Sequence, residues 1–371
     1  HGRGKGGKRH SPPGFSPVGN GAISMVSRRA ILKTIGLVGL STAAARTGLL
    51  PARAETSLQF PERWNGEPLA RIAQAYQNAR AEPHTDAPVV AELLRDEVVR
   101  VRRVVRGEQV FWNSDLWLET NRGYLYAAFV QPVRFHLPQK PQADLGEGRW
   151  AQLIVPYSDV YKKPDPFDPE AEAGRIYYGG VFRVEELVTG TDGRSWYRIR
   201  EMYQTIYARA THLRLIPEEE LTPLSPDVPP EEKVLRLSLS EQTLIAYEYG
   251  EPVWASYVST GVAHRPTPEG VHYVWDKRIS ERMVASTASD DPDFYNLPGV
   301  PFVCYFAPNW IAIHGTYWHN DYGRPRSSGC VNLTPEGARW VWRWTTPVAP
   351  LDRLYYQTRN RLEGTKVIVT A

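Results

Sequence analysis

The sequence predicts a mainly β protein, and three observations support this fold class. The chain of 371 residues holds 12 Trp and 20 Tyr, aromatic residues that favour strands. It also holds 31 Pro and 29 Gly, which punctuate short strands with turns. Apolar and polar residues alternate over many short segments, as they do in half-buried strands. The length allows about two or three domains.

Composition and charge exclude several classes of protein. Hydrophobic residues make up 42% and charged residues 23%, values typical of soluble globular proteins rather than of disordered or polytopic membrane chains. The formal charge is +3, with 44 basic and 41 acidic residues. A nucleic-acid partner is not expected, because such proteins carry a clear basic excess on one domain.

The basic residues are concentrated at the start of the chain. Residues 1–54 contain nine Lys or Arg and no acidic residue, so the other 317 residues hold 35 basic and 41 acidic residues, a net charge of −6. The pair Arg28-Arg29 precedes a mildly apolar stretch over 34–45 and then Pro51-Ala52-Arg53-Ala54. These are the parts of an export signal, and the paired arginines resemble the twin-arginine type.

We therefore expect an export signal over residues 25–54, removed near Ala54, with a short surface helix as the alternative. The protein is then exported to the periplasm or the cell wall. Residues 1–24 precede Met25 and are predicted to be a disordered upstream extension. After Ala54 no apolar run reaches the roughly 18 to 20 residues that span a bilayer.

Residues 55–85 are predicted to form a short helical segment. Within 60–81, apolar residues recur at the spacing of an amphipathic helix. They are Trp64, Leu69, Ile72, Ala75 and Tyr76. The segment 83–88, bounded by two prolines, would end this helix.

Two stretches that follow have a similar pattern, and we assign residues 86–145 and 146–216 to two small modules. In each, a strand that begins near an aromatic residue leads through a turn to a second aromatic strand and a closing segment. The second strands contain Trp117 and Trp196. This order resembles bacterial SH3-like barrels, which bind peptides or wall fragments. A spacer or packing role is the alternative.

Residues 217–231 are predicted to be an extended linker, because prolines and acidic residues dominate them. Residues 232–371 then form a second β-rich region. The alternating run 234–239 and the run 243–247 predict a hairpin, and 253–259 a third strand. A helix is predicted over 335–344, with Thr334 as its N-cap and Pro335 in its first turn.

The chemistry is concentrated in this last region. A strand, 311–313, delivers His314 followed by Gly315, and Cys330 follows Ser-Ser-Gly at the approach to the capped helix. A free thiol is a poor nucleophile at neutral pH until a base removes its proton. A histidine within hydrogen-bond reach does this and later protonates the leaving amine. The backbone N–H groups of Ser328, Gly329 and Cys330 are candidates for an oxyanion hole.

The second cysteine, Cys304, is interpreted as a small core residue. It lies in an apolar strand, Pro301-Phe302-Val303-Cys304-Tyr305-Phe306, without a chemical partner nearby in sequence. A disulfide between Cys304 and Cys330 would remove the nucleophile, so none is expected.

The pair His314-Gly315, with twelve residues between His314 and Ser327, and the run Ser-x-Gly-Cys-Val-Asn that begins at Ser327 resemble the signature of YkuD-type L,D-transpeptidases. Ser259-Thr260-Gly261, Thr267-Pro268-Glu269-Gly270 and Tyr305-Phe306 add to a resemblance that covers residues 232–371. It implies a β-sandwich-like catalytic domain in which Cys330 attacks a peptidoglycan stem peptide. His314 is then the base and acid, and the Gly315 carbonyl orients its imidazole. No cofactor or metal is implied. Ser328 departs from the family, many members of which have His there.

Four further residues are predicted to contact substrate or to support the site: Tyr305, Thr316, Ser327 and Asn332. Tyr305 would line the donor site, Asn332 would hold the turn after Cys330, and Ser327 would reach the histidine loop. The polar segment 277–299 is predicted to be a lid, with Phe294 and Tyr295 touching substrate. A purely structural role is the alternative for each.

Several functions remain open at this point. A zinc hydrolase is a rival, since His264, His272, His314, His319 and Cys330 could be metal ligands, but no HExxH or CxxC spacing accompanies them. A non-catalytic wall-binding protein is a second rival. Within the enzyme class, water or a lipoprotein lysine can replace the amine of a second stem as acceptor.

Overall fold

The computed structural model describes residues 60, 64–285 and 295–371 of the chain. The predicted upstream extension and export signal, 1–24 and 25–54, lie outside the described residues. The mainly β prediction is confirmed, because 24 strands and one α-helix make up the regular structure of the described part. No helix within the described residues is long and apolar enough to cross a membrane.

The first sheet has seven strands in the order β3-β2-β6-β5-β4-β1-β7. Its strands are β1 Leu69–Ile72, β2 Tyr76–Arg80, β3 Val89–Leu94, β4 Val98–Phe111, β5 Ser114–Thr120, β6 Gly123–Tyr126 and β7 Val130–Val133. A short 3-10 turn, Ala127–Phe129, leads into the last strand. Below, this sheet with its turns is called the first module.

The second sheet repeats the first strand for strand, in the order β10-β9-β13-β12-β11-β8-β14. Its strands are β8 Arg149–Leu153, β9 Tyr157–Tyr161, β10 Glu172–Tyr177, β11 Val181–Thr189, β12 Ser195–Arg200, β13 Thr205–Arg209 and β14 Leu213–Leu215. Again a 3-10 turn, Ala210–His212, precedes the last strand. This is the second module, and the chain therefore contains a structural duplication.

The helix predicted within 55–85 is wrong, because β1 and β2 occupy this part of the chain. Gly66, at a φ of +75°, and Pro68 interrupt any helix here. The apolar residues face a core because β1 pairs with β4 and β7, partners that are distant in sequence. The first module thus begins near Leu69 rather than at residue 86, and its likeness to SH3 barrels stays a prediction.

The C-terminal region contains two five-stranded sheets, in the orders β17-β16-β15-β24-β18 and β22-β21-β20-β19-β23. The strands of the first are β15 Lys233–Ser238, β16 Thr243–Glu248, β17 Glu251–Tyr257, β18 Gly270–Tyr273 and β24 Lys366–Thr370. Those of the second are β19 Asp276–Ala285, β20 Tyr295–Ala307, β21 Ile311–Gly315, β22 Val331–Leu333 and β23 Tyr356–Gln357. The predicted hairpin and third strand are β15 to β17.

Helix α1, Pro335–Trp344, packs against β20 and β21 as the predicted capped helix. The Thr334 side chain accepts the N–H of Gly337 at 3.0 Å, which satisfies one of the free donors of the first turn. The buried side of the helix faces the core shared with the sheets and contains Ala338, Val341, Trp342 and Trp344. The helix thereby supports β21, the strand that contains His314.

The predicted extended linker, 217–231, instead packs against α1. It contains a 3-10 turn, Glu218–Glu220, and buries Leu221 in the core. Glu220 forms an ion pair with Arg339 of the helix, and the Leu224 N–H donates to the Arg343 carbonyl at 3.0 Å. The proline and acidic content predicted an extended linker. Instead, the burial of Leu221 and the contacts with Arg339 and Arg343 of α1 hold this segment in place.

One hydrophobic core joins the second module to the C-terminal sheets. Trp150 of β8 and Val181 of β11 are buried in the same cluster as Leu235, Phe302 and Val341. Cys304 lies in this cluster and is fully buried, as predicted. Both cysteines are free thiols.

Candidate active site

His314 and Cys330 lie on neighbouring parallel strands. His314 is in β21, opposite Asn332 of β22, and Cys330 comes one residue before β22. Side chains two residues apart in an extended chain share a face and lie about 7 Å apart. Cys330 lies two residues before Asn332, so the two side chains share a face. Because the Asn332 side chain contacts His314, the Cys330 thiol and the His314 imidazole lie on the same side of the sheet.

The His314 imidazole is buried, with only 2% of the residue exposed. Its Nδ1 lies 3.1 Å from the Gly315 carbonyl oxygen, the contact that the resemblance implied, and its Nε2 lies 3.2 Å from Nδ2 of Asn332. Burial lowers the pKa of His314 to about 4, although the bond to Gly315 acts in the opposite direction. The ring is therefore neutral at pH 7 and has a lone pair to accept a proton.

The Cys330 thiol is half-buried and packs against a hydrophobic cluster that includes Trp275, Val303 and Tyr305. Burial raises the pKa of Cys330 above its ordinary value, and a hydrogen bond from the Ala312 backbone offsets part of this rise. At rest the site thus holds a neutral thiol and a neutral imidazole. A thiolate at Cys330 would require a base that accepts the thiol proton.

Ser327 shapes the turn that carries Cys330. Its hydroxyl accepts the N–H of Gly329 at 3.1 Å and donates to the carbonyl of Cys330. Gly329 has a φ of +117°, a conformation that favours glycine. The prediction that Ser327 reaches the histidine loop is not what the structure shows. Because the Gly329 N–H is already used, Ser328 and Cys330 remain as backbone donors for an oxyanion.

A second loop supports this turn from the side. The Thr267 hydroxyl donates to the Gly329 carbonyl at 2.7 Å and accepts the Gly261 N–H at 3.0 Å. A Cβ at Gly261 would lie 2.2 Å from the Arg265 carbonyl oxygen, so this close approach requires glycine. Arg265 also donates to the Ser328 hydroxyl at 3.2 Å. The two loop motifs quoted from the sequence therefore meet beside Cys330.

Tyr305 forms part of the wall beside the thiol, as expected for a residue lining the site. It is 6% exposed, and its ring lies 6.0 Å from Trp275 and 5.3 Å from Trp310. Burial raises the pKa of Tyr305, so its hydroxyl stays protonated. The guanidinium of Arg278 lies 5.1 Å from the centre of the ring.

Thr316 is buried and does not line the site, contrary to its assignment as a substrate contact. Its hydroxyl lies 2.8 Å from the Tyr322 hydroxyl and donates to the Leu333 carbonyl at 3.1 Å. The residue instead ties the loop after His314 to β22. The sequence pattern could not show this, because Leu333 lies 17 residues from Thr316 in the chain.

The predicted lid, 277–299, is mostly a long hairpin of β19 and β20 rather than a polar loop. Residues 286–294, including Phe294, lie outside the described residues. Tyr295 is described and lies near Cys330 and Arg265, and burial raises its pKa.

Sequence reasoning missed a polar chain next to His314. Asn332 was expected to hold the turn after Cys330, but its side chain lies between His314 and His319, with Oδ1 3.1 Å from Nε2 of His319. The Asp321 backbone N–H donates to Nδ1 of His319 at 3.1 Å. His319 had been considered only as a metal ligand. The position of His319 shortly after β21 is the one feature of the sequence that could have indicated this polar chain.

The loop after His314 also receives contacts from the first module. Nδ2 of Asn113, in the turn between β4 and β5, donates to the Asp321 carboxylate at 2.8 Å and to the Tyr322 carbonyl at 3.0 Å. Arg71 donates to the Tyr317 carbonyl at 2.8 Å. No sequence pattern indicated these contacts. Within residues 64–285 and 295–371, no three His, Cys, Asp or Glu side chains are grouped to hold a metal ion.

Comparison with known proteins identifies this region. Residues 232–369 match the YkuD family model, described as the L,D-transpeptidase catalytic domain. This part of the chain is therefore a catalytic domain of that family. Curated protein sequences contain no match.

Solved structures of L,D-transpeptidases are among the similar folds. The Enterococcus faecium catalytic domain is 23% identical, with 38% of this chain and 98% of that chain covered and a TM-score of 0.29. An enzyme from Mycobacterium smegmatis is 16% identical, with 74% and 99% covered and a TM-score of 0.31. The chain spans only 49% of the Ldtfm-avibactam carbamoyl enzyme and 50% of a cysteine-to-serine mutant of the Enterococcus faecium L,D-transpeptidase. Because these TM-scores are below 0.5, the assignment depends on the family model.

Proposed function

We propose, because residues 232–369 match the L,D-transpeptidase catalytic domain, that the protein is a peptidoglycan L,D-transpeptidase with Cys330 as its nucleophile. The observation that carries this is the pairing of β21 with β22. It sets a neutral, buried His314 on the same face as the half-buried thiol of Cys330.

In the first half-reaction, Nε2 of His314 gives up its hydrogen bond from Asn332 and accepts the thiol proton as the sulfur attacks the carbonyl between the third and fourth residues of a stem peptide. The new C–S bond leaves an oxyanion, which the backbone N–H groups of Ser328 and Cys330 stabilise. Collapse breaks the C–N bond. The proton on Nε2 passes to the leaving amine, so the terminal D-amino acid departs and a thioester remains on Cys330.

In the second half-reaction, the side-chain amine of another stem attacks the thioester. His314 accepts the amine proton and returns it to the sulfur as the C–S bond breaks. The product is an amide that joins the third residues of two stems, a 3-3 cross-link. Water as acceptor would give a carboxypeptidase, and a lipoprotein lysine would give an anchoring transferase.

A substrate in the cell wall requires that the enzyme act outside the cytoplasm, in agreement with the predicted export signal. The two modules are proposed to contact wall fragments or peptides. A non-catalytic wall-binding protein remains the alternative of another class, but a binder has no need of a thiol beside a buried base.

The test is incubation of the purified protein with a disaccharide tetrapeptide, followed by mass spectrometry. We expect a thioester adduct on Cys330 and a cross-linked dimer. Cys330→Ala should abolish both, whereas Cys304→Ala, the matched change at the buried cysteine, should retain both if it folds. Absence of adduct and dimer in the wild type, or their persistence in Cys330→Ala, would refute the proposal. A tripeptide without dimer would identify water as the acceptor.

A further inference from the structure

A buried polar chain leads from the base to residues that the mechanism does not use. From His314 it passes to Asn332 at 3.2 Å, to His319 at 3.1 Å and to the Asp321 backbone at 3.1 Å. All four residues are at most 3% exposed. Because water cannot replace a lost partner here, the direction of each hydrogen bond matters.

The two ends of this polar chain determine the direction of its hydrogen bonds. At one end, the backbone N–H of Asp321 can only donate, so Nδ1 of His319 carries no proton. Burial, and after it the positive charge of Arg326, lowers the pKa of His319 to about 4 against the opposing Asp321 carboxylate. A neutral His319 therefore has its proton on Nε2 and donates it to Oδ1 of Asn332.

At the other end, the carbonyl of Gly315 can only accept, so Nδ1 of His314 carries the proton. Its Nε2 is then an acceptor for Nδ2 of Asn332. The two ends agree on one orientation of Asn332. A reversed amide would place its oxygen against the lone pair of His314 and its N–H group against the N–H of His319.

Asp321 is itself held on three sides. Its backbone carbonyl accepts the Ser259 hydroxyl at 2.7 Å. Its carboxylate accepts Arg324 at 2.6 Å and Asn113 of the first module at 2.8 Å, and Arg326 lies 3.4 Å away. The segment that presents the Asp321 N–H to His319 is thus fixed by side chains from two parts of the protein.

We infer that His319 is a positioning residue that acts through Asn332 to hold His314 in the tautomer whose Nε2 is unprotonated. This is the nitrogen that faces β22 and is required as the base. The catalytic consequence rests on the proposed function, but the tautomer itself does not. Without the donor at His319, the Asn332 amide can turn, and its oxygen then favours a proton on Nε2 of His314.

The tautomer can be measured directly by long-range ¹H–¹⁵N correlation spectra of protein labelled with ¹⁵N-histidine. We expect Nδ1–H at His314 in the wild type. His319→Phe, which cannot donate, should convert much of the signal to Nε2–H, whereas His319→Gln, whose amide can donate to Asn332, should keep Nδ1–H. Asn332→Asp should also favour Nε2–H, since its carboxylate can only accept.

The inference is overturned if His314 keeps Nδ1–H in folded His319→Phe and in folded Asn332→Asp. It is also overturned if His319→Gln changes the tautomer as much as His319→Phe does. Should His319→Phe fail to fold, the other two variants still decide the matter, because one is predicted to keep the tautomer and the other to reverse it.

Turnover gives a second readout. His319→Phe should lower kcat by roughly tenfold while KM stays within about twofold, because the base and not the substrate site is changed. His319→Gln should recover most of the lost kcat. If the wild type forms no product from the tetrapeptide, the proposed function fails, while the tautomer spectra still test this inference.

Discussion

The two N-terminal modules have the same strand order, yet they meet the catalytic domain through different parts. In the first module, the turn between β4 and β5 reaches the loop after His314 through Asn113, and Arg324 of that loop lies 3.6 Å from the Phe111 ring. In the second module, the equivalent turn contacts only its own module through Asp192. The Asp192 carboxylate accepts a hydrogen bond from Trp196 Nε1 and forms an ion pair with Arg209.

The second module contacts the core of the catalytic domain through its β8 and β11 strands, and Tyr177 of β10 stacks on Tyr317 of the loop after His314 at 5.3 Å. Trp150 lies in the shared core and donates to the Leu351 carbonyl at 2.7 Å, and Ser280 of β19 donates to the Val181 carbonyl. The two copies of the duplicated fold therefore support different parts of the catalytic domain. One copy holds the loop beside the base, and the other holds the core beneath the catalytic sheets.

The largest effect is expected from Trp150→Ala, which opens a cavity in the shared core. We expect the free energy of unfolding to fall by about 3–5 kcal/mol. Hydrogen exchange should increase in both the second module and β19 to β20. Trp117→Ala, at a residue 2% exposed within a separate cluster of the first module, is the control and should increase exchange mainly there. Unchanged hydrogen exchange in the catalytic sheets of Trp150→Ala would show that the second module does not support their core.

Acid should weaken the loop that the first module holds. The folded pKa of His314 is about 4 because of burial, whereas an unfolded histidine titrates near 6.5. The unfolded state therefore binds more protons between these values, so stability falls as pH drops from about 6.5 to about 4. For His314 alone this loss is about 3 kcal/mol at pH 4.

The measurement is the free energy of unfolding as a function of pH. His319→Phe should reduce the acid-dependent loss, because burial lowers the pKa of His319 as well. His212→Phe in the second module is the control and should reduce it less, since His212 is only partly buried although burial also lowers its pKa. Equal pH dependence in the wild type and His319→Phe would contradict this prediction.

The smallest effect is expected from substitutions in the two equivalent turns, at Asn113 and at Asp192. Asn113→Ala removes two hydrogen bonds to the catalytic loop, and we expect a loss of about 1–2 kcal/mol in stability with a roughly threefold to tenfold lower kcat. Asp192→Ala should affect stability but leave kcat unchanged, because its partners lie within the second module. Equal effects of both variants on kcat would show that the first module does not support the base specifically.

Local patterns predicted the C-terminal region well. The alternating residues of β15 and β16, and Thr334 with Pro335 at the start of α1, are signals contained within a few neighbouring residues. The proposed nucleophile and base come from the same kind of signal, because Cys330 after Gly329 and His314 before Gly315 are short motifs. The helix predicted within 55–85 failed because β1 is made by pairing with distant strands, which no local spacing encodes.

Short segments of the sequence were enough to propose cysteine chemistry, since a thiol, an imidazole and their flanking glycines can be read from neighbouring residues. Only the tertiary structure decided how the base is held. The tautomer of His314 follows from hydrogen bonds with Asn332, His319 and Asp321, and the loop that carries them is braced by Asn113, 208 residues from Asp321 in the chain. Such contacts depend on burial and on the packing of distant strands, so folding alone brings them together.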